Sequence, residues 1–172
     1  MVDEMYLPVN TLSGHTLQVR RDSLQSWNVS WNSMPVASIR FRSDSNMIVE
    51  TSLGRYHLRK VFDDHDRLTL IHLDSGTELA SGRLSDRGMQ MSFDIRGSEG
   101  EYLLKWLRSE DRWILEVADG QGEPVMRLRD FGHTGEWEAE IELYFSKSQS
   151  TQVHMLLASL VSYWMQNILQ TS

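Results

Sequence analysis

The amino-acid sequence predicts a mainly β fold: a closed antiparallel barrel of about twelve strands, built from three four-strand repeats, that encloses a hydrophobic C-terminal α-helix. Three observations lead to this fold class. A unit of about 46 residues occurs three times, apolar and polar residues alternate within each unit, and residues 151–170 contain no charged residue, Gly or Pro. A chain of 172 residues is the size of one domain. We predict a single domain over 1–172, with a leader at 1–13, strands over 14–145 and a central helix over 151–170.

The repeat is visible in the turns as well as in the strands. Between the second and third copies, Tyr56 falls on Tyr102 and Asp74 falls on Asp119, while a fainter first copy begins at Gly14. Matched turn residues are hard to obtain from strand composition alone, which favours a true repeat over chance similarity. Alternating apolar residues within each copy are typical of a small β unit rather than of a helical hairpin.

Each copy divides at period two into four short strands separated by turns rich in Asp, Ser and Gly. The predicted strands are 15–20, 24–31, 35–42, 46–51, 55–62, 67–73, 78–84, 88–95, 101–107, 112–118, 124–130 and 136–145. The last strand is the clearest, because Ala139, Ile141 and Leu143 alternate with glutamates. One face of this strand is therefore expected to be buried and the other solvated.

The segment 151–170 is apolar or small along its centre. As a helix at 1.5 Å per residue it would be close to the ~30 Å thickness of a bilayer core, so a C-terminal membrane anchor is one interpretation. Gln152, His154 and Gln166 favour the other interpretation, in which the helix is surrounded by protein. Twelve one-sided strands provide that surrounding when they close into a barrel, and closure also removes exposed strand edges.

Twelve antiparallel strands followed by an apolar C-terminal helix resemble the tubby-like barrel of tubby proteins, phospholipid scramblases and LURP-one-related proteins. The likeness runs from about Gly14 to Gln170, and it includes the turn Asp74-Ser75-Gly76 and the strand Ala139-Glu140-Ile141-Glu142-Leu143 before the helix. The resemblance implies a helix threaded through the barrel. For tubby proteins it also implies phosphoinositide binding by exposed basic residues, and for scramblases membrane attachment. The chain has no cysteine cluster for palmitoylation and no dense Lys/Arg groove, so no functional residue is carried over.

The charge and the N-terminal sequence narrow the expected partners and location. Seventeen Lys and Arg against twenty-four Asp and Glu leave a net charge of −7, which repels a phosphate backbone, so no nucleic-acid partner is expected. The N-terminus shows no basic leader with an apolar run, which predicts a cytoplasmic protein. Since the sequence carries no phosphate-binding Gly loop, nucleophile elbow or metalloprotease motif, no cofactor is expected and a non-catalytic role is favoured.

Five arginines near the ends of equivalent third strands form a candidate anion site: Arg40, Arg42, Arg83, Arg127 and Arg129. Further basic residues, on the strands before the long turns, are Arg59, Lys60 and Lys105. Guanidinium groups bind phosphate and carboxylate groups through paired, charge-assisted hydrogen bonds. On one exterior region of the barrel they would hold an anionic phospholipid head group, with peripheral membrane contact. The alternative is that they pair across strands with Glu136 to Glu142, which would neutralise both rows.

A weaker candidate is a cation site at Asp63, His65 and Asp66, because carboxylates and an imidazole in one turn can bind a divalent metal. The matching turn of the third copy, Ser109-Glu110-Asp111, is acidic but has no His. The position therefore requires only a polar hairpin, and no metal is predicted.

These observations predict a non-catalytic β-barrel module that binds a protein partner or an anionic lipid head group through its outer surface. One alternative is a lipocalin-like small-ligand binder, or an enzyme, with a hollow barrel. A second alternative is a C-terminally membrane-anchored protein. The three differ in where they place residues 151–170: inside the barrel, on its outside, or in a bilayer.

Overall fold

The computed structural model describes residues 6–7, 16–23, 26–43, 46–61, 67–84, 90–95, 101–109, 112–130 and 138–144. This part of the chain forms β1 (Thr16–Ser23), β2 (Ser26–Trp31), β3 (Met34–Ser43), β4 (Asn46–Thr51), β5 (Gly54–Val61), β6 (Arg67–His72), β7 (Glu78–Leu84), β8 (Gln90–Ile95), β9 (Glu101–Ser109), β10 (Arg112–Ala118), β11 (Pro124–Asp130) and β12 (Glu138–Leu143).

Each strand pairs in antiparallel fashion with the next, and β1 pairs with β12 to close the barrel. At the closing seam, Val19 lies opposite Ala139 and Leu17 lies opposite Ile141. The predicted closed antiparallel barrel of twelve strands is therefore confirmed. The predicted helix over 151–170 lies outside the described residues.

The strands form because each alternates between the two surfaces of the wall. In β4, for example, Met47, Val49 and Thr51 are buried, whereas Ile48 and Glu50 are partly exposed. The same alternation places Ala139 and Ile141 of β12 in the core. Of the large side chains in the core, the most completely buried are Phe93, Ile39, Met47, Leu58, Leu68, Leu70, Leu115, Met126, Leu128 and Ile141. The apolar residues of the wall thus share one surface and its charges share the other.

Each of the three copies of the sequence repeat has a register shift at the same place in its strand pairing. The register shifts at Val29/Ser30 between β2 and β3, at Leu70/Ile71 between β6 and β7, and at Val117/Ala118 between β10 and β11. These three bulges are four strands apart and precede equivalent hairpins. Since bulges bend a strand and increase its twist, each copy curves the wall at the same point.

The connections alternate between two rims of the barrel. The upper rim carries the connections β1–β2, β3–β4, β5–β6, β7–β8, β9–β10 and β11–β12, and the lower rim carries the remaining ones. At the lower rim, Asn32 and Ser33 both have positive φ (48° and 65°), as a two-residue type I′ hairpin requires. In the β10–β11 turn, Oδ1 of Asp119 accepts the backbone N–H groups of Gln121 and Glu123 at 2.9 Å each.

Candidate functional site

The five predicted arginines do not lie on one region of the barrel. Arg40 and Arg42 are on β3, Arg83 is on β7, and Arg127 and Arg129 are on β11, all on the outer surface. In the closed strand order, β3, β7 and β11 are four strands apart. They therefore divide the circumference into thirds. The repeat that makes these residues equivalent in sequence is the reason that they lie apart in the fold.

The two β11 arginines are neutralised by neighbouring strands. Nη2 of Arg127 lies 2.5 Å from Oε1 of Glu116 on β10, and Nη2 of Arg129 lies 3.5 Å from Oε1 of Glu142 on β12. The hydrogen bond that Arg127 donates to Glu116 raises the pKa of Arg127. On this side of the barrel the geometry agrees with the alternative interpretation, cross-strand pairing. Glu142 is one of the partners that the sequence predicted for these arginines. Glu116 is not, because β10 has no row of alternating glutamates that would have indicated it.

Arg83 lies at the upper rim of β7, where it faces Arg67 on β6 and Ser92 on β8 in the strand register. Its side chain is exposed. Two arginines directly opposite each other on a sheet repel. Arg83 is thus separated by strands from the arginines of β3 and of β11.

The β3 arginines have a different environment, because Arg42 lies near a histidine and an arginine of β5. Asn46 of β4 lies opposite Arg59, and Oδ1 of Asn46 is 2.8 Å from Nε2 of His57. The amide oxygen is an acceptor, so the imidazole donates its Nε2 hydrogen to it. We call Arg42, Asn46, His57 and Arg59 the outer basic cluster. Its members come from three consecutive strands near the upper rim.

The surroundings of His57 in the outer basic cluster disfavour the protonated imidazole. Burial, Arg59 and Arg42 all lower the pKa of His57, in that order of importance. Among the residues that the structure describes, the ion pairs formed do not include Arg42 or Arg59. Glu50, the acid on the outer face of β4, instead accepts a hydrogen bond from the hydroxyl of Tyr6 at 3.3 Å. Two guanidinium groups therefore flank a partly buried neutral imidazole on one face.

Residues on different strands supply this cluster. The sequence suggested Arg42 and Arg59 for an anion site, but it did not place His57 or Asn46 beside them. Asp44, in the β3–β4 connection next to Arg42, lies outside the described residues. The signal that was available is weak: Arg59 and His57 alternate on β5 with the buried residues Tyr56 and Leu58, which marks them as outward-facing. Their approach to Arg42 depends on the pairing of β3, β4 and β5.

Among the described residues, few polar side chains are buried on the inner surface of the wall. Thr51 is the buried polar residue there, and its Oγ1 accepts the N–H of Leu53 at 3.0 Å, which closes the β4–β5 turn. The other buried positions of the core are apolar or aromatic. The charged and hydrogen-bonding groups described above all lie on the outer surface or the rims.

The weak metal candidates Asp63, His65 and Asp66 lie outside the described residues. Across the part of the chain that the structure describes, no group of three or more His, Asp or Glu side chains is arranged to hold a metal ion. His57, on the strand that precedes them, lies near two arginines, an environment that disfavours a cation.

A shallow groove of about 650 Å³ lies on the outer face of β8, β9 and β10. Its lining includes Glu101, Tyr102, Lys105, Glu116 and Asp119. Lys105 lies opposite Glu116 in the strand register, and Glu116 forms an ion pair with Arg127. Burial and the nearby Asp119 raise the pKa of Tyr102. The groove therefore combines charges of both signs, whereas the charged side chains of the outer basic cluster are arginines.

The described strands and turns include no helix that is long and apolar enough to cross a membrane. Comparison with known proteins adds no assignment: no protein-family model, no curated protein and no solved structure matches the chain. The fold assignment accordingly rests on the strand pairing, and the candidate site rests on its own geometry.

Proposed function

We propose that this protein is a non-catalytic tubby-like barrel that binds an anionic lipid head group through the outer basic cluster, as a cytoplasmic protein in peripheral contact with the membrane. One observation carries the proposal. Arg42 and Arg59 flank the neutral imidazole of His57, and the ion pairs formed among the described residues do not include either arginine.

The chemistry of the cluster suits a phosphate group. Each guanidinium offers a planar set of N–H donors that matches two phosphate oxygens. An anion between Arg42 and Arg59 would offset the two charges that now lower the pKa of His57. The imidazole would then take up a proton more readily and attract the anion in turn. Arg42 and Arg59 are both exposed on the outer face, so an anion could reach them from solvent.

Vesicle sedimentation tests the proposal. The probes are phosphatidylcholine vesicles with and without an anionic phospholipid, either phosphatidylserine or a phosphoinositide. The double variant Arg42→Gln/Arg59→Gln should lose most of its binding to the anionic vesicles. The matched control is Arg127→Gln/Arg129→Gln, which changes the net charge equally but removes arginines already paired with Glu116 and Glu142. Equal binding by both double variants would contradict the proposal.

Two further probes separate the sources of the phosphate group. If inorganic phosphate and a phosphopeptide shift the His57 ring signals while vesicles do not bind, the ligand is a phosphate on a protein or in solution rather than a lipid. Binding of the wild-type protein to neutral vesicles would instead favour an apolar membrane contact.

The tubby-like assignment includes a helix over 151–170 at the barrel centre. Side chains of eight strands fill a barrel, whereas twelve strands enclose a wider space. The described inward side chains are nevertheless almost fully buried, with Leu58, Leu115 and Leu128 at 0% exposure. Additional apolar material inside the wall would explain this burial, and residues 151–170 have the required length and composition.

Two changes in the C-terminal segment test the central helix. Leu160→Asp should prevent folding if the helix is buried on all sides, and deletion of 151–172 should give an aggregate. A soluble, folded barrel after the deletion would favour the membrane-anchor alternative. A folded Leu160→Asp protein would favour the hollow, lipocalin-like barrel. Circular dichroism and size-exclusion chromatography distinguish these outcomes.

A further inference from the structure

The lower rim carries a group of exposed apolar side chains that the proposed head-group site does not use. Met34, Leu53 and Leu73 are 41%, 43% and 37% exposed. They belong to the hairpins β2–β3, β4–β5 and β6–β7, which are consecutive along this rim. We call these three residues the apolar sector. Leu107 on β9 is the other large apolar side chain of comparable exposure in the described residues.

Strand pairing makes the apolar sector continuous. The N–H of Leu73 donates to the carbonyl of Arg55 at 2.9 Å, so Leu73 lies beside the β4–β5 turn that contains Leu53. The strands that lead to Met34 and Leu53 are neighbours, since β3 pairs with β4. Next to Met34 in the chain, the carbonyl of Pro35 accepts the N–H of Leu7 at 2.9 Å, and Leu7 packs against the core. Scattered apolar residues on a surface are common, but three on adjacent turns form a patch.

The charges around the apolar sector are predominantly negative. The described carboxylates within two positions of the three hairpin turns of the apolar sector are Glu50, Asp74 and Glu78. The corresponding described cation is Arg55, which lies 3.8 Å from Asp74. The outer basic cluster lies toward the opposite rim, near the ends of β3 and β5. The apolar sector therefore has a net negative surround, and the outer basic cluster lies apart from it.

We propose that the apolar sector docks a basic, amphipathic segment of a partner protein. Apolar side chains of that segment would cover Met34, Leu53 and Leu73, and its Lys or Arg side chains would meet the carboxylates around them. Complementary charge sets the orientation and accelerates encounter, while the buried apolar contacts supply most of the affinity. An anionic bilayer is disfavoured here because the rim carboxylates would be repelled by its surface. This inference stands independently of the proposed head-group site.

The test is a titration of the full chain with a synthetic peptide of Lys and Leu in an amphipathic helical pattern, followed by amide NMR. Signals of Met34, Leu53 and Leu73 and their neighbours should shift. A Glu/Leu peptide of the same pattern should cause no such shifts, and added salt should weaken the binding of the Lys/Leu peptide.

Matched substitutions identify the contact. Leu53→Ser/Leu73→Ser should weaken binding of the Lys/Leu peptide roughly tenfold or more. Leu107→Ser, which removes an equally exposed leucine from β9, should leave the affinity unchanged. All three leucines are exposed, so thermal unfolding should show that both variants remain folded.

Three results would overturn the inference. The first is a loss of affinity in Leu107→Ser as large as that in the double variant. The second is equal binding of the acidic and basic peptides. The third is a concentration-dependent dimer of the wild-type chain, detected by sedimentation, that Leu53→Ser/Leu73→Ser abolishes, because the occupant would then be a second copy.

Discussion

Gly82 of β7 lies directly opposite Phe93 of β8, and the ring of Phe93 occupies the space that a side chain at position 82 would need. A Cβ atom at this position would be 2.6 Å from Cε1 of Phe93. Phe93 is 1% exposed and is among the most completely buried large side chains of the described core. A glycine in the middle of a strand is thus required by a neighbouring ring rather than by a turn.

Gly82→Ala should therefore lower the free energy of unfolding by about 1–3 kcal/mol, because the buried ring has to leave its position to admit the methyl group. Urea unfolding measures the change. Ser81→Ala, one position away on the outer face, should alter stability by less than about 0.5 kcal/mol. In the background of Phe93→Leu the cost of Gly82→Ala should shrink. An equal cost in both backgrounds would show that the ring is not the cause.

The Thr51 hydroxyl should contribute to stability through the β4–β5 turn. It is fully buried and accepts the N–H of Leu53, so Thr51→Val removes this bond while keeping the shape of the side chain. We expect a loss of about 1 kcal/mol in urea unfolding. Thr69→Val is the matched control, since its hydroxyl is partly exposed and its bond to the Arg59 carbonyl is longer, at 3.4 Å. A larger loss of unfolding free energy in Thr69→Val than in Thr51→Val would contradict the role given to the buried Thr51 hydroxyl.

The two arginines of β11 should differ in their effect on stability. Arg127 lies between Glu116 and Glu142 in the strand register, so Arg127→Met leaves two carboxylates without the cation that separates them. Arg129 is more exposed and forms a longer ion pair. We expect Arg127→Met to cost about 1 kcal/mol and Arg129→Met less. High salt should narrow the difference, and an unchanged difference in salt would exclude an electrostatic origin.

His57 should make the protein less stable at mildly acidic pH. Burial, Arg59 and Arg42 lower its pKa in the folded protein from the ordinary 6.5. As pH falls through 6.5, the unfolded chain takes up a proton that the folded chain does not yet accept. The contribution of His57 to stability is therefore complete above 6.5 and is lost as pH falls through the lower, folded-state pKa.

A His57→Gln variant measures this contribution. Its free energy of unfolding should fall less than that of the wild type between neutral and mildly acidic pH. The histidine ring signals in an NMR titration provide a direct reading of the pKa. If the free energy of unfolding falls equally in the wild type and the variant over this pH range, a group other than His57 causes the loss. Inorganic phosphate should raise the measured pKa if the outer basic cluster binds an anion.

Local pattern was sufficient to predict the strands and their buried faces. In β4, Met47 and Val49 alternate with Ile48 and Glu50, and this order decides which side chains enter the core wherever the strand lies. The hairpin residues and the three-copy repeat were visible for the same reason, because a turn is specified by the few residues that form it. The predicted C-terminal helix stays a prediction, since residues 151–170 are outside the described part of the chain.

The candidate site depended on information that no single segment carries. Arg42, His57 and Arg59 belong to two strands separated by β4, and they meet because β3, β4 and β5 pair in one particular register. Barrel closure likewise put β3, β7 and β11 far apart, so arginines at equivalent repeat positions could not form one site.

The sequence by itself determined the β class, the approximate strand positions and the side of the wall on which each residue lies. Alternation has a period of two residues and is a property of one strand. The tertiary structure decided which outward charges are neutralised, as Arg127 is by Glu116, and which stand together, as Arg42 and Arg59 do. Lateral neighbours depend on register and on closure, and a shift of one residue in either strand would change every such pair.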